Sequence, residues 1–209
     1  MGKTAKLCTL VLLFGMAAAA IAEESLALPG YGRTYSSTSG VRGYWFQAPT
    51  NFVMTGFRVP NEGGHAEQTL EVVRFNGNTP PPAYPNTTND FVSLYRQVRQ
   101  AAGAILRPAT PIAVAAGEVI GIYGGCGDAG SNTLYMSYGT PPGPFGSAIF
   151  GQPTTLTRSG MQYNLINEPM HNIWQEAAYE VSRVEMYYDI PEPAAFALLG
   201  LLGLTLRRR

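Results

Sequence analysis

Lysine is almost missing from this 209-residue chain, occurring only at positions 3 and 6. Every other cation is an arginine, and three of these, Arg207, Arg208 and Arg209, close the sequence. Residues 23–190 hold nine arginines against 13 carboxylates, a formal charge of −4, although the whole chain sums to zero. That balance argues against a basic nucleic-acid-binding face. Cysteine is equally scarce. Cys8 and Cys126 are the only two, so a chain that sheds its first residues has no internal disulfide, and its core must hold without one. There are two histidines, His65 and His171. No Gly-x-Ser-x-Gly, His-Glu-x-x-His or zinc-spaced cysteine pair occurs, which removes the common motif-bearing hydrolases and zinc enzymes. His65-Ala66-Glu67 opens like a zinc deaminase motif, but the Pro-Cys-x-x-Cys it requires is absent. Both histidines read as loop residues. Long apolar stretches with helical period are lacking between residues 23 and 189, and with 24 glycines and 16 prolines a helical bundle is disfavoured.

What is there begins with the two ends. Lys3 and Lys6 precede an apolar run from Leu7 to Ala20, and Ala20-Ile21-Ala22 puts small residues three and one before Glu23. This is the layout of a secretory signal peptide over residues 1–22, cut after Ala22 so that Glu23 becomes the first residue. At the other end, Pro191-Glu192-Pro193 is followed by 13 apolar residues, Ala194 to Leu206, and then by the three arginines. Thirteen helical residues rise about 20 Å, short of the roughly 30 Å of a bilayer core. The segment suits transient insertion more than permanent anchoring. The arginines should stay on the cytoplasmic side, which places Pro191 and all before it outside, in agreement with the leader.

Between the ends the pattern is of short strands. Alternating or continuous apolar runs at 41–47, 52–59, 69–75, 91–98, 112–115, 119–123, 134–138, 148–150, 161–165 and 179–188 are separated by Gly, Pro, Asn and Thr. In the last run Ser182, Val184, Met186 and Tyr188 share one face. Propensity also allows a helix over 93–107, against which Gly103 and Pro108 weigh. Ala116-Gly117-Glu118 reads as a tight connection, and Asn76-Gly77-Asn78 as a sharp turn. Residues 78–88, with four prolines, read as a loop, as does Gly124-Gly125-Cys126-Gly127-Asp128. These features predict an all-β domain over 23–189. It is expected to be an antiparallel β-sandwich of jelly-roll type, with a β-barrel as the alternative.

The chemistry on this scaffold is sparse. Asp90, Asp128, Asn132 and Glu168 offer loop oxygens for a structural calcium, without the spacing of any known loop; no other cofactor is expected. Glu67 with Glu71, and Glu118 with Glu176, are candidate carboxylate pairs for glycoside hydrolysis. Cys126 lacks a neighbouring histidine and reads as structural. The positive feature is aromatic. Tyr44-Trp45-Phe46 must split between two faces, while Tyr31, Tyr35, Tyr84 and Tyr187 are candidates for exposure. Exposed rings stack on sugar faces, and Tyr84 in the proline loop is the named ligand-binding candidate.

The tail resembles the PEP-CTERM sorting signal in its three parts: Pro191-Glu192-Pro193, the apolar helix, and Arg207-Arg208-Arg209. The resemblance covers residues 190–209 and matches the signal peptide at the other end. It implies that signal peptidase and exosortase process the chain, the latter recognising the Pro-Glu-Pro motif and removing the tail. It further implies a Gram-negative bacterium that makes exopolysaccharide, and a destination at the cell surface or in the extracellular matrix. The expectation is a non-enzymatic surface protein associated with exopolysaccharide or biofilm; the alternative is a secreted polysaccharide hydrolase using two carboxylates.

Overall fold

The computed structural model describes residues 23–190. In chain order the strands are β1 (Glu24–Ser25), β2 (Gly30–Ser37), β3 (Val41–Gln47), β4 (Phe52–Arg58), β5 (Glu67–Phe75), β6 (Phe91–Ala101) and β7 (Ile112–Val114). There follow β8 (Val119–Gly127), β9 (Leu134–Thr140), β10 (Phe145–Ile149), β11 (Gln152–Met161), β12 (Trp174–Gln175) and β13 (Glu185–Asp189). All named strand pairs are antiparallel. The expected signal peptide, residues 1–22, and the expected sorting tail after Ile190 lie outside the described residues.

One sheet has the order β1-β13-β4-β7, and the other contains β3-β8-β5-β6 in sequence. Two four-stranded sheets wound in this way form the eight-strand double Greek key of a jelly roll. The remaining strands are additions. β2 is inserted between β1 and β3, and β9 to β12 between β8 and β13. β11 extends the larger sheet beyond β3, β10 and β12 pair with β11, and β2 pairs with β9, which touches β8 through Cys126 and Tyr135.

Period-2 alternation fills the space between the sheets. Phe52, Met54, Phe57, Met186 and Tyr188 from the small sheet meet Tyr44, Phe46, Leu70, Val72, Ile120 and Ile122 from the large one. Burying each such side chain is worth about 1.5–3 kcal/mol. The Tyr44 hydroxyl donates to the Val184 carbonyl at 2.8 Å, fastening the large sheet to the chain entering β13. A second core lies on the other face of the large sheet. There Val73, Phe75, Val119 and Tyr123 are covered by Leu165, Met170 and Ile173 from the segment after β11.

Several expectations need correction. The stretch 93–107 is no helix; its first part belongs to β6, the large sheet's edge strand, with bulges opposite Gln68–Leu70 and Val72–Val73. Residues 116–118 do not close a hairpin. β7 pairs with β4 and β8 with β3 and β5, so this turn, with Gly117 at φ 88°, is a corner between sheets. Gly124 to Gly127 is buried strand. A Cβ on Gly124 would lie 2.9 Å from the Thr69 carbonyl, and one on Gly127 3.0 Å from that of Thr133. The glycines serve close approach of strands, which in sequence looks like a flexible loop. The run at 161–165 is the end of β11 and the bend after it. The run at 179–188 is a strand only from Glu185. Before that the chain bonds to β9 at isolated points, Gly139 N–H to Val181 and Arg183 N–H to Ser137, and then crosses to the small sheet. The expected inward face holds throughout: Ser182, Val184, Met186 and Tyr188 are all buried.

Candidate functional site

The inserted strands frame a cleft that the eight-strand core does not need. β3 lends it Arg42. In register, Arg42 faces Gly160 of β11, and Gly160 faces Trp174 of β12. With no Cβ at Gly160, the Arg42 side chain crosses β11 and sets its guanidinium 4.6 Å above the Trp174 ring, a cation–π contact. A second guanidinium, Arg158, lies 5.0 Å from the Tyr138 ring and 5.2 Å from that of Tyr179. Together with Arg33 and Tyr35 of β2 these residues line a depression of about 200 Å³. On the far side of Trp174 lies a second depression of about 240 Å³, lined by Tyr84, Thr87, Gln162, Tyr163 and Asn172. Each is smaller than the roughly 300–1,000 Å³ of an enclosing small-molecule pocket. Side by side they suit a chain lying across the surface.

The proline loop is held to this site by β12. Gln175 takes the Tyr84 amide on its carbonyl and gives its own N–H to Pro82, and its side chain bonds Pro81 and Trp45. Tyr84 is thereby fixed edge-on to Trp174 at 5.5 Å with 57% of its surface exposed. Tyr31 and Tyr35 are exposed as expected, but Tyr187 is half-buried, with its hydroxyl on Glu185. The exposed Tyr163 and Tyr179 complete the set of rings. Both fall within runs expected to be strands, 161–165 and 179–188, whereas the chain there lies outside the strands and leaves the rings at the surface.

The charges at the cleft are uneven. Eight of the nine arginines contact a carboxylate: Arg33 with Glu180, Arg58 with Glu185, Arg74 with Glu118, Arg96 with Glu71, Arg99 with Glu67, Arg107 with Glu23, Arg158 with Glu176, and Arg183 with Glu62. Among the described residues Arg42 alone has no such partner. Its Nη1 donates to the carbonyls of Val41 and Met161, both at 3.0 Å, and its Nε is buried without an acceptor. Burial, and then Arg158 beside it, lower its pKa. Nearby Arg158 Nε and Glu176 Oε2 are also buried and, though 3.1 Å apart, not aligned as a hydrogen bond.

The other candidates are drawn into the structure. Glu67 and Glu71 lie on one face of β5, four residues or about 13 Å apart along the strand, beyond the ~5–10 Å of a glycosidase pair. Glu71 is fully buried, taking the Met170 N–H at 3.0 Å and facing Arg96 at 3.3 Å. Glu118 and Glu176 answer separate arginines and are not brought together as a pair by any shared contact. Of the calcium candidates, Asp128 accepts from His65, Asn132 from Arg99, Asp90 from Asn76, and Glu168 sits on His171. Among the described residues no three His, Cys, Asp or Glu converge as metal ligands. His65 stacks on Tyr135, ring centroids 3.8 Å apart. Cys126 is not in a loop but buried in β8, and burial, with Glu62 nearby, pushes its thiol up to about 12. Of the expected processing residues only Glu23 is described, with its carboxylate on Arg107 and Thr55.

By architecture the chain is a jelly-roll β-sandwich with an aromatic and arginine-lined cleft built from insertions. No protein-family model matches it, and a search of curated proteins finds no match.

Proposed function

We propose that this is an exported, non-enzymatic cell-surface or matrix protein that binds polysaccharide across the cleft. The observation that carries the binding reading is the row of exposed rings, Tyr84, Tyr163, Tyr35 and Tyr179, flanking the Arg42–Trp174 stack. Flat rings stack on sugar faces, and polar groups between them orient hydroxyls. The carboxylates considered for hydrolysis are each engaged by their own arginine, which favours binding over cleavage. Export and sorting rest on the leader at residues 1–22 and on the PEP-CTERM-like tail, with signal peptidase and exosortase as processing enzymes.

Fractionation of the host envelope tests both halves. The wild-type chain should start at Glu23 and co-purify with the exopolysaccharide. A Glu192→Ala chain, or one lacking Arg207 to Arg209, should stay in the inner membrane. Equal surface delivery of all three would refute the sorting reading. Free elution of the processed chain from the polymer would refute the binding reading, and release of reducing ends would favour the hydrolase.

A further inference from the structure

We infer that the cleft selects carboxylate-bearing sugars, a uronate polymer, with Arg42 as the receptor of the carboxylate; this rests on the polysaccharide-binding reading above. A half-buried guanidinium without a counter-ion is costly, because the two carbonyls and the Trp174 ring replace only part of the lost water and leave Nε without an acceptor. Eight arginines of this acidic domain have met that cost internally with a carboxylate. Arg42 has not, and Arg158 beside it adds like charge. The cleft holds Arg33, Arg42 and Arg158 against Glu176 and Glu180, a surplus of one positive charge in a domain of net charge −4.

The surplus is local, so long-range attraction does not bring the ligand. Recognition takes place at contact. A planar guanidinium already fixed by Trp174 and by two main-chain carbonyls loses little freedom on meeting a carboxylate. The flanking rings specify what carries that carboxylate. Tyr35 and Tyr179 on one side, and Tyr84 and Tyr163 on the other, are about half-exposed rings, flat partners of the kind that stack on pyranose rings. An acidic peptide offers no such flat, regularly spaced partner.

Electrophoresis of the full-length chain in mild detergent, through gels holding polygalacturonate, dextran or polyglutamate, tests this. The wild type should be retarded by polygalacturonate, and more weakly as salt rises. Dextran and polyglutamate should retard it at least about tenfold less, the effect of one charge-assisted hydrogen bond. Arg42→Gln should lose the preference for polygalacturonate over dextran, Arg42→Lys should keep part of it, and Arg74→Gln, whose cation is paired with Glu118, should keep all of it. Near-ultraviolet circular dichroism checks that each variant is folded, and the Lys variant carries the test if Gln is not. Equal retardation by dextran and polygalacturonate, unchanged in Arg42→Gln, would overturn the carboxylate receptor and leave polysaccharide binding standing. Retardation by polyglutamate as strong as by polygalacturonate would overturn the sugar class. No retardation by either polysaccharide would overturn both readings.

Discussion

The guanidinium of Arg42 rests 4.6 Å above the indole of Trp174, and Gly160 is what lets it reach there. The three residues stand in one row across β3, β11 and β12. A Cβ at the middle position would lie 2.6 Å from Arg42 Cδ and would also crowd the Val41 carbonyl. Gly160→Ala is therefore expected to cost about 1–3 kcal/mol, the range of overpacking, and to weaken polymer binding. Urea unfolding checks the first effect and retention on the polymer the second. A variant as stable and as well retained as wild type would mean that the stack does not depend on Gly160.

Glu71 is the most enclosed carboxylate in the domain and ties β5 to Arg96 of β6 and to the segment covering the second core. Glu71→Ala leaves Arg96 without its counter-ion and the Met170 N–H without an acceptor. Breaking a buried pair in this way costs about 3–5 kcal/mol. Glu71→Gln keeps an acceptor and should cost less. A loss under about 1 kcal/mol in the Ala variant would contradict the role assigned to Glu71.

Acid should loosen two particular contacts. Hydrogen bonding from Arg107 holds the Glu23 carboxyl below its ordinary 4.5, and a main-chain N–H of its own residue, with Arg33, does the same for Glu180. A lowered folded pKa means that the unfolded chain takes up the proton first. The stabilisation is complete above about 4.5 and is lost as pH falls through the folded values. Urea midpoints should drop below about pH 4.5, and Glu23→Gln with Glu180→Gln should shrink that drop. An undiminished drop in the double variant would refute the assignment.

Cys126 should be inert in the native chain. Its sulfur is enclosed near the carbonyls of Val59 and Pro60, and its thiol is held far from ionisation at neutral pH. A thiol reagent should react only after denaturant is added, and reducing agent should leave the unfolding midpoint unchanged. Stoichiometric labelling of folded protein would contradict this.

The strands of the jelly roll were largely legible in the sequence. β3 has the expected bounds, and β4, β5 and β9 differ by one or two residues at an end, because short apolar runs set off by Gly, Pro, Asn and Thr mark strands even where, as in β4, the alternation is imperfect. β2 was missed. Gly30 to Ser37 is almost wholly exposed and carries no apolar alternation. The cleft was legible only in its parts. The arginines and Tyr84 could be named, but Arg42, Tyr138, Arg158, Trp174 and Tyr179 are far apart in sequence. Their meeting depends on β9 to β12 folding back beside β3, a tertiary event without a local motif. The partner count that singles out Arg42 belongs wholly to the folded state.

Amide hydrogen exchange of the full-length chain, with and without polygalacturonate, tests the central claim most directly. Slowed exchange is predicted in peptides spanning residues 30–37, 79–88 and 172–182, which carry Arg33, Tyr35, Tyr84, Trp174 and Tyr179, with β6 on the opposite edge of the large sheet unchanged. Slowing confined to β6, or to none of these segments under conditions where the polymer is bound, would contradict it.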